Sequence, residues 1–339
     1  MTDYSANVRH AIYIERYKKR VAREIVEMID GLTGSLFERV VTSDLERMNR
    51  RDLDRLLADL RRMVAEGYEP VTATLETALK DFAVYEAEWQ VGALARAGVD
   101  LGVPSDADLW AAMYARPFQG RLLRDWLKDL PANTSARVRQ TVRQGYVDGK
   151  GPLEIARDLR GTRGRKGVMD ISRRGADMLA RTAIAHTASS AREKTYEQND
   201  TITNVQWSSV LDHRTSAICR TNDGRVGPVR PTRGWKPPAG FTALQPRMAR
   251  PPAHVGCRST MLPMTDGNRA ALKVRPTYND WLKQQPESVQ DDILGPTRGK
   301  LYRSGDFTVD RFTDPTGQEY TLDQLRQRDR EAFDEALAE

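Results

Sequence analysis

The chain has 339 residues and a formal charge of +6, with 39% hydrophobic, 7% aromatic and 29% charged residues. At roughly 150 residues per domain this is about two domains, each long enough to bury a core without disulfide staples. No run of about 18 apolar residues is present and only two cysteines occur, which excludes a membrane-spanning helix and a disulfide-rich secreted scaffold. Arg9, Arg16, Lys18, Lys19 and Arg20 fall where a secretory signal would need an apolar stretch, so Sec export is not expected.

The first 130 residues read as a helical domain. Val21, Ile25, Met28 and Leu32 form one apolar stripe, and Leu53, Leu56, Leu57, Leu60 and Val64 form a second. Leu75, Leu79, Phe82 and Trp89 predict a third helix, after a break expected at Gly67 to Pro70. Gly98 to Pro104 reads as a loop, Ser105 and Asp108 mark a helix start, and Phe118, Leu122, Leu123 and Trp126 predict another short helix. A helical bundle is the natural way to bury these faces.

Residues 131–275 read as a second, basic domain of α+β character. Helices are expected over 133–149 and 152–160, the latter with Pro152 in its first turn. Between them and a further helix over 172–199 lies Arg160-Gly161-Thr162-Arg163-Gly164-Arg165-Lys166-Gly167, either a mobile solvated loop or one that contacts phosphate. Arg163, Arg165, Lys166, Arg173 and Arg174 are the candidate DNA contacts. His186, inside the long helix, reads as a packed residue. Alternation of Val205, Trp207 and Ser209 predicts a strand. Asn222-Asp223-Gly224 is a turn that lets Trp207 to Val210 pair with Arg225-Val226, and Gly227 to Pro252 reads as irregular loop. Residues 276–339 are expected to form an acidic C-terminal helical tail, with short helices around Trp281 to Gln285 and Val289 to Leu294.

Charge follows the same partition. Residues 1–150 carry 23 basic and 23 acidic side chains, 151–275 carry 22 and 10, and 276–339 carry 8 and 14. A basic segment between a neutral and an acidic one suits nucleic acid or an acidic protein surface.

The chemistry-bearing residues are concentrated in Asp212-His213-Arg214-Thr215-Ser216-Ala217-Ile218-Cys219 and Pro251-Pro252-Ala253-His254-Val255-Gly256-Cys257-Arg258-Ser259. Cys219, His254 and Cys257 are donors of the kind zinc takes, with Asp212, His213 or water as a fourth ligand. Two buried thiols and a Cys219–Cys257 disulfide are the competing readings. Trp207, Asp212, Arg214, Thr215, Asp223, Gly224 and Arg258 are expected to be structural: an Asp at a strand end caps the next turn, and the arginines fasten loops to carboxylates. No third orienting residue or glycine-framed oxyanion loop accompanies the cysteines, and the segment is poor in the carboxylates a nuclease needs.

With Arg181-Thr182, Trp207, Asp212-x-Arg214-Thr215-Ser216-x-x-Cys219, Asn222-Asp223-Gly224 and Pro251-Pro252-x-His254-x-x-Cys257-Arg258-Ser259, residues 133–265 resemble the phage Mu protein F-like family of minor head proteins, the phage head morphogenesis proteins. Tyr278-x-x-Trp281-Leu282, Gln290, Leu294-Gly295 and Thr321-Leu322-x-x-Leu325 resemble the region that often follows this domain. Some members carry further cysteines where this chain has Ser216 and Ser259, a departure that weakens a four-ligand zinc site. The resemblance implies a minor capsid protein of a tailed phage, not an enzyme, assembled in the host cytoplasm and located in the virion, at the capsid interior or portal vertex. Its implied partners are the portal and major capsid proteins and packaged double-stranded DNA, and its implied work is head assembly, genome packaging or DNA delivery. The alternative is a metal-assisted nuclease or cysteine-dependent enzyme centred on His254 and Cys257.

Overall fold

A computed structural model describes residues 4–45, 47–117, 120–230, 232–245 and 250–338. It is mainly α, 65% helical, with one small antiparallel sheet. The described residues of Asp3–Tyr85 and Asp106–Ala188 form one compact unit, and those of Glu86–Ser105 and Ser189–Glu339 form another.

The first unit is a helical bundle. Helix α1 (Tyr4–Val41) buries Ile14, Val21, Ile25, Ile29, Leu32, Leu36 and Val40, a stripe with three- and four-residue steps. Helix α2 (Arg50–Ala95) lies antiparallel to it: Tyr17 Oη donates to the Ala78 carbonyl at 2.9 Å and Arg39 pairs with Asp59 at 2.9 Å. The expected break at Gly67 to Pro70 does not occur, because α2 runs through both residues. A Cβ on Gly67 would lie 2.7 Å from Leu32 Cδ1, so the glycine is there for close helix approach. Pro70 costs α2 one intrahelical hydrogen bond, and the flanking core residues Tyr68, Val71 and Leu75, each 1% exposed, keep the helix continuous.

Helix α3 (Asp106–Ala115) starts where Ser105 and Asp108 marked it, and α4 (Leu123–Val147) passes through Pro131, joining two segments expected as separate helices. Phe118 lies outside the described residues. Helix α5 (Pro152–Arg160) has its proline in the first turn, and α6 spans Val168–Glu197. Tyr68, Thr134 and Ser172 join α2, α4 and α6 by a chain of buried hydroxyls, each link 2.9 Å. Gly145 lets Ile155 of α5 close onto α4, where a Cβ would meet it at 2.5 Å.

The second unit is built on a three-stranded sheet of order β2-β1-β3. Strand β1 (Asn204–Ser208) pairs antiparallel with β2 (Val226–Pro228), Gln206 opposite Val226, and with β3 (Thr260–Met264), Gln206 opposite Leu262. The hairpin predicted around Asn222-Asp223-Gly224 is therefore present, with Gly224 at φ +82° and α7 (Ala217–Asn222) inserted before the turn. Val205, Trp207, Tyr196, Cys219, Cys257 and Met261 share one apolar core. A second core gathers α9 (Tyr278–Lys283), α10 (Glu287–Leu294), α11 (Pro296–Arg303), a 3-10 turn at Val309–Phe312, α12 (Leu322–Arg328) and α13 (Arg330–Ala338); α8 (Arg269–Val274) precedes them. Buried Glu86 and Arg192 pair at 2.5 Å within this unit, beside the Tyr196 hydroxyl donating to Gln90.

Candidate functional site

The motif residues converge on the end of β1, the short helix α7 and the segment leading into β3. Trp207 is wholly buried and its indole N–H donates to Ser209 Oγ at 2.9 Å. Ser209 Oγ in turn donates to the Cys219 carbonyl at 2.8 Å and lies 3.2 Å from Ser259 Oγ. This chain of contacts aligns the start of α7 with the Cys257-Arg258-Ser259 segment.

Asp212 begins the turn that leads into α7. It accepts from the Arg214 N–H at 3.0 Å and from the Thr215 hydroxyl at 3.2 Å. Both of its carboxylate oxygens also take Arg258, each at 2.6 Å. That fork holds the Asp212 carboxyl down at about 2. Asp212 is thus an anchor for Arg258 and lies outside the donor cluster, while the Arg214 side chain is exposed, its guanidinium 4.0 Å from the Asp212 carboxylate.

Asp223 is the second anchor. It accepts from the Ser209 N–H at 2.6 Å, the Tyr278 N–H at 2.7 Å and the Arg275 guanidinium at 2.9 Å. Burial pushes its carboxyl up, and Arg275 with the two amides works against that shift. Tyr278 Oη donates to the Asp212 carbonyl at 2.9 Å, so one tyrosine touches both anchors. Arg275 was not singled out from sequence. Its signal is an arginine at the edge of the basic segment, next to the Tyr278-x-x-Trp281 motif.

The same two motifs form the soft-donor cluster. Cys219, His254 and Cys257 are brought together, their donor atoms all within 4.8 Å of one another. Cys219 Sγ lies 3.7 Å from Cys257 Sγ and 3.3 Å from His254 Nε2, and Ser216 Oγ lies 2.8 Å from that nitrogen. Both cysteines are free and only 2% exposed. Hydrogen bonding from Cys219 holds the Cys257 thiol far below its usual range and Cys219 correspondingly above, while contact with Cys257 raises His254. His254 Nδ1 lies 2.9 Å from the Val255 carbonyl, which only accepts, so Nδ1 carries the proton and Nε2 offers its lone pair to the cluster. Two thiols and one such nitrogen are a donor set for a soft divalent ion.

The candidate DNA contacts lie in the helical unit. The Gly161–Gly167 segment is a built turn: Thr162 and Arg165 exchange backbone hydrogen bonds at 2.8 and 3.3 Å, and Asp170 accepts from the Gly167 N–H at 2.8 Å. Arg173 is engaged by Asp30 and Asp170, and Arg165 pairs with Asp158 at 3.1 Å. Arg163, Lys166 and Arg174 are exposed and pair with no carboxylate among the described residues.

Residues 136–262 match the sequence model of the family described as Phage Mu protein F like protein. This region is similar to that family, a family of phage head morphogenesis proteins. The match takes in the second half of α4, α5, α6, β1, β2, the start of β3 and all three soft donors. No curated protein matches the chain, and no solved structure does.

Proposed function

We propose that the protein is a minor head component of a tailed phage, acting beside the portal and major capsid proteins in head assembly, genome packaging or DNA delivery. The family match over residues 136–262 carries this reading. Support for a DNA-facing role comes from the hydrogen-bonded turn between α5 and α6, where Arg163 and Lys166 are exposed, with Arg174 exposed in the second turn of α6. Such cations neutralise phosphates without reading bases.

The enzymatic alternative has less support from the geometry. A thiol nucleophile must meet its substrate, and both cysteines are 2% exposed. Asp212, a carboxylate of the same motif as Cys219, is occupied on both oxygens by Arg258.

The test is quantitative mass spectrometry of purified DNA-filled particles of the phage that encodes the chain, scaled against portal and major capsid proteins. A fixed low copy number is expected. Absence from particles overturns the reading as a virion component and leaves a transient assembly factor.

A further inference from the structure

The arrangement of Cys219, His254 and Cys257 carries an inference independent of the head-protein reading. A tetrahedral zinc ion binds sulfur at about 2.3 Å and imidazole nitrogen at about 2.0–2.1 Å, so its S···S edge is about 3.8 Å and its S···N edge about 3.6 Å. Cys219 Sγ and Cys257 Sγ are 3.7 Å apart, and Cys219 Sγ and His254 Nε2 are 3.3 Å apart. Two edges of one face of such a tetrahedron are therefore in place, and all three donors lie within 4.8 Å of one another. A disulfide needs its sulfurs at about 2.05 Å.

The rest of the surroundings agree with a cation here. Two thiolates balance a divalent charge in a buried place, and the positive charge of neighbouring Arg258 is taken up by Asp212 at 2.6 Å. The Nδ1–H of His254 is tied to the Val255 carbonyl at 2.9 Å, the outer hydrogen bond that fixes a metal-binding tautomer. Ser216 Oγ lies 2.8 Å from Nε2 and also hydrogen-bonds Cys219, as Ser259 does, so a hydroxyl touches both kinds of donor.

We propose that Cys219, Cys257 and His254 Nε2 bind one zinc-class ion, with Ser216 Oγ at the fourth position. The ion pins α7 to the segment before β3 and so closes the irregular excursion that follows β2. Ser216 is a hard, neutral ligand among soft ones, which predicts a site weaker than one with a third thiolate in its place.

The experiment titrates the reduced, metal-free full chain with Co(II), followed by displacement with Zn(II). One equivalent should produce the visible bands of tetrahedral cobalt and a near-ultraviolet sulfur-to-cobalt band, both lost on adding zinc. Ser216→Ala should weaken binding about 10- to 100-fold in competition with a chelator. Ser216→Cys should tighten it and raise the sulfur-to-cobalt intensity in proportion to three thiolates in place of two. A folded chain with two titratable thiols and no cobalt spectrum overturns the proposal, as does a chain whose thiols are joined in a disulfide. A spectrum that survives Cys257→Ser places the metal elsewhere and overturns it too. Should that variant not fold, the intensity in Ser216→Cys decides: no rise means that position 216 does not face the ion.

Discussion

Arg258 grips Asp212 with two parallel hydrogen bonds, Nη1 to Oδ2 and Nη2 to Oδ1, each 2.6 Å, across 46 residues of sequence. The pair joins the turn after β1 to the segment that carries Cys257. It ties together the two motifs that the irregular excursion separates.

Replacing Asp212 with Asn removes the charge and one half of the fork while leaving Arg258 partly buried. The expected loss is about 1.5–3 kcal/mol at neutral pH. Because the folded carboxyl titrates at about 2, below the unfolded value of 3.8, its contribution is present above pH 4 and is lost as pH falls toward 2. Urea unfolding of the two proteins should therefore show a gap at pH 7 that closes on acidification. A gap that stays constant down to pH 2 contradicts this assignment.

His186 supplies a separate pH dependence in the helical unit. It is fully buried and donates through Nε2 to the Met113 carbonyl at 2.9 Å; burial lowers its pKa from 6.5 to about 4. The neutral ring is the folded form, so stability is full above pH 6.5 and declines as pH falls toward 4, by up to about 3 kcal/mol. His186→Gln keeps a donor for Met113 and cannot take a proton. Its unfolding midpoint should change less between pH 7 and pH 4.5 than that of the parent, and equal slopes would remove His186 as the cause.

Gly167 has no room for a side chain. A Cβ would lie 2.3 Å from the Gly161 nitrogen and 2.5 Å from the Leu159 carbonyl oxygen, both backbone atoms that cannot turn aside. Gly167→Ala should cost about 1–3 kcal/mol in thermal or urea unfolding. Gly164, which meets nothing within 4 Å, is the control, and its alanine variant should be close to neutral. Comparable losses at both positions would mean that the turn is not held as described.

DNA binding by the full chain should fall steeply with salt if the turn faces phosphate. Arg163→Gln and Lys166→Gln should each make the log–log salt slope shallower by about 0.9 and leave the unfolding midpoint unchanged. Arg173→Gln should instead lower stability, since Arg173 is engaged by Asp30 and Asp170. Wild-type salt dependence in the Arg163/Lys166 double variant would assign the basic turn to a protein contact.

The helices were legible because apolar spacing is a local property: the α1 and α2 stripes and Pro152 at the start of α5 appear where they were read, and so does the strand around Trp207, although Gln206 is buried with Val205 and Trp207 rather than alternating with them. The breaks were less so. Gly67, Pro70 and Pro131 carry breaker chemistry, and whether a helix ends there depends on packing against residues such as Leu32, which is distant in sequence. Likewise the glycine-arginine stretch announced a turn, but its shape is set by the close approach of Gly161 to Gly167 and by the Gly167–Asp170 hydrogen bond, not by composition.

By itself the sequence determined the mainly helical class, the hairpin around Asn222-Asp223-Gly224, the two motifs of site residues and the segregation of charge, because each is written in neighbouring residues. Only the tertiary structure decided what those charges and donors meet. Part of the basic segment is neutralised within the chain: Arg220 pairs with Glu319 and Arg225 with Asp310, both at 2.9 Å, so carboxylates of the acidic tail are drawn onto the sheet unit. Asp212 left the metal candidates for the same kind of reason. An ion pair or a donor cluster is fixed by distance in space, and the fold alone brings residues 46 or 99 positions apart to within a hydrogen bond.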